Sequence, residues 1–151
     1  MLAAVLSLTS FTFYQPSTKA ALPFCEGVQL VLKKIKSGEA LSKKDAALAS
    51  GSDMYESEVK LTGFTTSTKE DSYGTLFVVE AGNDTDALVK QKKFAEIKTQ
   101  LIKCLNPKKI DVNDSDYFSF EVGTIIIELV REKSGLVKNY GVSLWIQKPK
   151  K

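Results

Sequence analysis

Cys25 and Cys104, a set of glutamates in extended stretches, and one Asp-rich segment are the residues whose types and spacing could do chemistry. The two cysteines are the only ones in the chain. In an exported protein such a pair suggests a disulfide, whereas in a reducing compartment the same residues would be two buried thiols acting as small hydrophobes. Glu56, Glu58, Glu80, Glu121 and Glu128 fall in stretches of strand character. Two of them meeting in an apolar cleft would make an acid and a base for hydrolytic chemistry; scattered over a wet face they would do nothing of the kind. The chain has no histidine, which removes Ser-His-Asp and Cys-His catalysis and the usual imidazole-containing zinc sites.

Asp111-Val112-Asn113-Asp114-Ser115-Asp116 gathers oxygen ligands, but the calcium-loop register fails. The sixth place from Asp111 is Asp116 where Gly is required, and the twelfth is Val122 where Glu is required. An Asx-rich turn leading into a strand accounts for the segment. Ser57-Glu58-Val59-Lys60 has the letters of a Ser-x-x-Lys motif. That motif needs its serine opening a helix, and this stretch reads as strand. No catalytic residue, metal ligand or cofactor-binding residue is therefore assigned, and no cofactor is expected. Asn83-Asp84-Thr85 and Asn113-Asp114-Ser115 fit the N-glycosylation pattern and are equally explained by capping and turns. For partner binding the candidate anchors are aromatic: Trp145, Tyr73 and Tyr117.

Charge narrows the partners. Lys and Arg number 21 against 18 Asp and Glu, a formal +3, with both signs interleaved along most of the chain and Arg131 the single arginine. Neither a strong field nor a supply of planar guanidinium forks is present, so nucleic acid is not expected. A protein or a small ligand is the expected partner.

The first residues differ from the rest. Met1 to Cys25 contains no acid and one lysine, and an apolar run opens at Leu2 and reaches Tyr14. It is short for a membrane span and rich in Ser and Thr, as the core of a signal peptide can be. Thr18-Lys19-Ala20 and Lys19-Ala20-Ala21 offer small residues for cleavage after Ala20 or Ala21. Residues 1–21 are accordingly read as a leader, 22–148 as one domain and 149–151 as a basic tail. Membrane contact would be transient, through the leader, and the mature chain periplasmic or extracellular. The competing reading makes Val5 to Tyr14 an ordinary buried element; Leu22-Pro23-Phe24-Cys25 as a lipid-attachment box is weak because Phe24 is large.

The elements that must position these residues follow from hydrophobic rhythm. Phe24, Val28, Val31 and Ile35 recur at steps of four, three and four and stop at Ser37-Gly38, which predicts a helix. Ser42 and Asp45 suggest a cap for a short helix over Ala46 to Ala49, with a loop as the alternative. Tyr55, Val59 and Leu61 alternate with polar residues, and Tyr73 to Glu80 is apolar on both faces, so two strands are expected, the second more central. Thr65 to Asp71 reads as the polar link between them. The longest helix is expected from about Asp86 to Leu105, with Phe94, Ile97, Leu101, Cys104 and Leu105 on one stripe. Tyr117 to Val122, Thr124 to Glu132 and Lys138 to Gln147 read as strands, the last two as an antiparallel hairpin. The sequence shows no internal repeat. The fold class is α+β: an antiparallel sheet of about five strands packed on one or two amphipathic helices, in the order helix, two strands, long helix, three strands.

That order, with Phe24-Cys25 opening the first helix and Leu101-Ile102-Lys103-Cys104-Leu105 closing the second, resembles the layout of type III secretion chaperone-like domains and of small secreted bacterial domains. The resemblance implies partner binding without catalysis, and a homodimer. The reading as a whole is a non-catalytic exported binding or interaction domain. A small carboxylate enzyme and a structural or envelope-assembly component are the alternatives.

Overall fold

Phe24, Val28, Val31, Leu32 and Ile35 are buried along one side of α1 (Phe24–Ser37), the stripe that the four, three, four spacing predicts. Pro23 sits just before the first turn, where a missing N–H is harmless. Gly38 closes the helix in the left-handed conformation at φ 74°, its N–H donating to the Lys34 carbonyl.

The structure is a computed structural model that describes residues 20–47, 53–84, 86–133 and 140–150. After α1 come β1 (Ser42–Ala47), β2 (Tyr55–Ser57), β3 (Thr65–Glu70) and β4 (Gly74–Asp84). They are followed by α2 (Ala87–Leu105), β5 (Val112–Asn113), β6 (Tyr117–Val122), β7 (Ile125–Lys133) and β8 (Tyr140–Pro149). The expected α+β class and antiparallel sheet are found, with eight strands among the described residues, in the order β1-β2-β3-β4-β8-β7-β6-β5, where about five were expected. Each half of the chain is a helix followed by a four-stranded meander, and the halves meet where β4 pairs β8. The topology repeats although the residues do not.

Three segments differ from expectation. Ser42–Ala47 is a strand paired with β2 rather than a loop or a short helix; its Lys, Asp and Ala residues carry no β signal, and the ladder overrides their propensity. Thr65–Glu70 is a strand rather than a link. Thr66 and Thr68 face the core, 3% and 0% exposed, and their hydroxyls donate to the Val59 and Leu76 carbonyls, each at 2.9 Å. β-branched side chains with satisfied hydroxyls make a good inner strand face even though they score as polar. Val112–Asn113 adds a two-residue edge strand. Conversely β2 ends at Ser57, and Val59 and Leu61 are buried from the loop beyond it. There the Leu22 N–H donates to Lys60 O at 2.8 Å and the Thr62 N–H to Leu22 O at 2.9 Å.

The core lies between one face of the sheet and the two helices. Phe77, Ile146, Ile127 and Phe120 form one row across β4, β8, β7 and β6, and Val79, Leu144, Leu129 and Phe118 form the next. All eight are buried, and Phe94, Ile97 and Leu101 of α2 join the same cluster. Asp86 caps α2, its Oδ1 accepting from the Leu88 N–H at 2.8 Å. Asn106 ends the helix in the left-handed conformation at φ 43°.

Cys25, in the first turn of α1, and Cys104, in the last turn of α2, are joined by a disulfide, their Cα atoms 5.5 Å apart across 79 residues of sequence. Closing a loop of that length removes unfolded-chain entropy worth about 4.5 kcal/mol. Gly27, two residues beyond Cys25 along α1, packs against Leu61: a Cβ there would meet the Leu61 Cδ2 atom at 1.9 Å. The 1–19 stretch, which carries the expected leader core, lies outside the described residues, and so does Thr85 of the first glycosylation motif. Among the described residues no helix is long and apolar enough to cross a membrane.

Candidate functional site

Because side chains alternate along a strand, the residues between the core positions of β3, β4, β6, β7 and β8 share the outer face of the sheet. Ser67, Val78, Trp145, Glu128, Ser119 and Val112 form one row across it, from β3 to β5. Leu76, Gln147, Ile126 and Glu121 form the next on one side, and Glu80, Ser143, Val130 and Tyr117 on the other.

Glu128 is the centre of this face. Its Oε1 accepts from the Tyr117 hydroxyl, and its Oε2 from the Gln147 side-chain amide at 2.5 Å. Trp145 is its direct partner in the β7–β8 ladder and Ser119 its partner in the β6–β7 ladder. The hydrogen bond to the Glu128 carboxylate, then burial, then the charge of that carboxylate raise the Tyr117 phenol above its ordinary value, and Ser119 opposes them. Chemically this is a fixed negative charge, both oxygens engaged by neutral donors, beside an indole and a phenol. Leu76, Ile126, Val130, Trp145 and Tyr117 are half-buried around it, so the centre of the face is apolar with one anchored carboxylate.

Of the acids singled out in the sequence, Glu56, Glu80, Glu121 and Glu128 share this outer face, Glu56 through its pairing with Ser67. Glu56 is four strands from Glu128 along a single row, about 19 Å at normal strand spacing. Glu121 is the nearest, diagonal to Glu128 across β6 and β7, a relationship that places Cα atoms about 7–8 Å apart. Glu58 is elsewhere, 3.9 Å from the Lys34 ammonium.

The aromatic anchors separate in the same way. Trp145 and Tyr117 flank Glu128, whereas Tyr73 is 83% exposed at the β3–β4 turn. Its turn is held by Asp71, whose Oδ1 accepts from the Tyr73 N–H at 2.7 Å and the Gly74 N–H at 3.2 Å. The Lys150 N–H donates to Tyr73 O at 2.8 Å, so the chain remains tied to the sheet past Lys148.

The Asp-rich segment builds a turn. Asp114 Oδ1 accepts from the Asp116 and Tyr117 N–H groups at 2.9 and 2.6 Å, and the Arg131 guanidinium grips Asp116, its Nε donating at 2.6 Å. Ser57 is 2% exposed, accepts from the Val59 N–H at 3.0 Å and donates toward Leu41 O at 3.4 Å, so its hydroxyl serves the loop.

Charge that is interleaved along the chain is sorted by layer. The helices carry eight lysines against Glu26 and Glu96, while among the described residues the outer sheet face carries Glu56, Glu80, Glu121 and Glu128 against Lys69, with Lys60 reaching Glu56 from the loop after β2 at 2.6 Å. Lys69 is already engaged by Asp53 and lies 3.2 Å from Asp71. One residue of consequence escapes a reading of the sequence: Lys90, 3% exposed on α2. The signal was present, because Lys90, Phe94, Ile97 and Leu101 run at steps of four, three and four along the buried stripe.

No protein-family model, no curated protein and no solved structure matches this chain.

Proposed function

We propose that this protein is a non-catalytic binding domain, working outside the cytoplasm, whose outer sheet face receives a protein partner with a basic and partly apolar surface. The observation that carries the reading is the Glu128 cluster. A carboxylate held by Tyr117 and Gln147 and set against Trp145 gives a rigid aromatic anchor and a fixed charge at the centre of an apolar patch, the composition from which binding hot spots are built. Glu80 and Glu121 at the margins favour a cationic partner and disfavour an acidic one. The Cys25–Cys104 disulfide is compatible with an oxidising compartment.

Trp145 is the single tryptophan, so its fluorescence reports on this face directly. Titration with an alternating Lys-Leu peptide is expected to shift the emission saturably, and an alternating Glu-Leu peptide to leave it unchanged. By calorimetry, Trp145→Ala and Glu128→Gln are each expected to weaken the basic peptide about tenfold. Equal responses to both peptides, or wild-type affinity in both variants, would overturn the proposal. Intact mass of the exported product is expected to place the new N-terminus at Ala21 or Leu22; full-length protein retained inside the cell would remove the compartment from the reading.

A further inference from the structure

Lys90 brings a charge to the edge of the core with little to compensate it. It is 3% exposed, and its Nζ donates to the Ala81 carbonyl at 2.7 Å. An ammonium has three N–H groups to place, and among the described residues Lys90 joins no ion pair. A buried ammonium held only by a carbonyl dipole is unfavourable unless a counter-charge arrives.

The surroundings supply a place for one. A cavity of about 360 Å³ opens here, walled by Ala81, Val89, Lys90, Lys92, Lys93 and Glu96. Three lysines and one glutamate line it. Lys93 is steadied with its Nζ 5.0 Å from the centre of the Phe64 ring. The rim has an apolar side: Val89 is 47% exposed and its neighbour Leu88 74%. The volume falls in the range of pockets that hold small organic molecules and exceeds what a bare ion needs.

We propose that this cavity, at the opposite face of the molecule's sheet from Trp145, is a binding site for a small organic oxyanion. The uncommitted N–H groups of Lys90 take its carboxylate or phosphate, Lys92 and Lys93 close over it, and Val89 meets its carbon skeleton. The site stands on Lys90 and its cavity alone and is independent of any partner on the outer sheet face.

Calorimetric titration of the full chain with citrate and, separately, with inorganic phosphate tests this, against sodium chloride at matched ionic strength. The expected result is saturable one-to-one binding of at least one of them; which of the two binds assigns the oxyanion. Lys92→Gln with Lys93→Gln, both at the surface, is expected to weaken binding about tenfold or more. Lys90→Met is expected to abolish it, with near-ultraviolet dichroism reporting whether the variant is folded. Trp145→Ala is expected to bind as wild type, which separates this site from the sheet face. Heat indistinguishable from the chloride control with both anions, or unchanged affinity in the double variant, would overturn the proposal whatever Lys90→Met does.

Discussion

The Tyr117 hydroxyl donates to the Glu128 carboxylate across the β6–β7 ladder, and that bond ties the phenol's titration to folding. Its pKa is raised from 10.0, first by the bond and then by burial. The unfolded chain therefore loses this proton at a lower pH than the folded one. The stabilisation is complete below pH 10.0 and is lost as pH rises through the folded value. Ultraviolet titration of phenolate is expected to contain a late phase above the ordinary tyrosine value, and Tyr117→Phe should delete that late phase. A late phase that persists in the variant would assign it to another residue.

The disulfide sets the second expectation. Reducing Cys25–Cys104, or replacing both with Ser, should lower unfolding free energy by about 3–4.5 kcal/mol in a denaturant titration, the upper end being the chain-entropy value for a 79-residue separation. A loss under about 1 kcal/mol would mean that the unfolded chain is already compact when reduced.

Two glycines are fixed by space. Gly27→Ala drives a methyl toward Leu61 Cδ2 and should destabilise by about 1–3 kcal/mol, because that leucine is itself 2% exposed in the core. Gly74→Ala should be worse. Gly74 has φ 145°, and a Cβ there would stand 2.2 Å from the Lys148 carbonyl oxygen, a backbone atom of the paired strand. Thermal unfolding of the two variants side by side ranks them; Gly74→Ala unfolding above Gly27→Ala would contradict the geometry.

Thr68 tests the strand that looked like a loop. It is fully buried and donates to Leu76 O at 2.9 Å. Thr68→Val keeps the shape and deletes the donor, so a loss of about 1 kcal/mol is expected. A neutral outcome would mean that shape alone holds β3 in place.

These elements explain how far the sequence could be read. Phe24 to Ile35, Phe94 to Leu101 and the long strands announce themselves because an apolar stripe with one period fills each of them, and β6 matches its expected bounds, Tyr117 to Val122. The link between Thr65 and Asp71 hid a strand because hydropathy counts a threonine hydroxyl as wet, whereas here it is spent on a carbonyl. Ser42 to Ala47 hid another because pairing with β2 outweighs local preference. At the candidate site the participants were visible and their grouping was not. Trp145, Tyr117 and Glu128 were each singled out, but their convergence depends on the β6-β7-β8 register, which no single strand encodes. Gln147 carries no signal at all. Layer-by-layer sorting of charge was hidden for the same reason: strands and helices alternate along the chain, so opposite signs on opposite faces look mixed in one dimension.

The cross-link between the helices has a consequence for how copies of this chain could be exchanged. Cys25 belongs to the first helix-and-meander half and Cys104 to the second. If two molecules traded their second halves, each sulfur would find its mate on the other polypeptide, and the swapped pair would be stitched covalently. Oxidation before such a trade instead staples each chain to itself and forbids it. A denaturing gel run without thiol would therefore record the order of events, with a single-chain band for oxidation first and a double-mass band for exchange first.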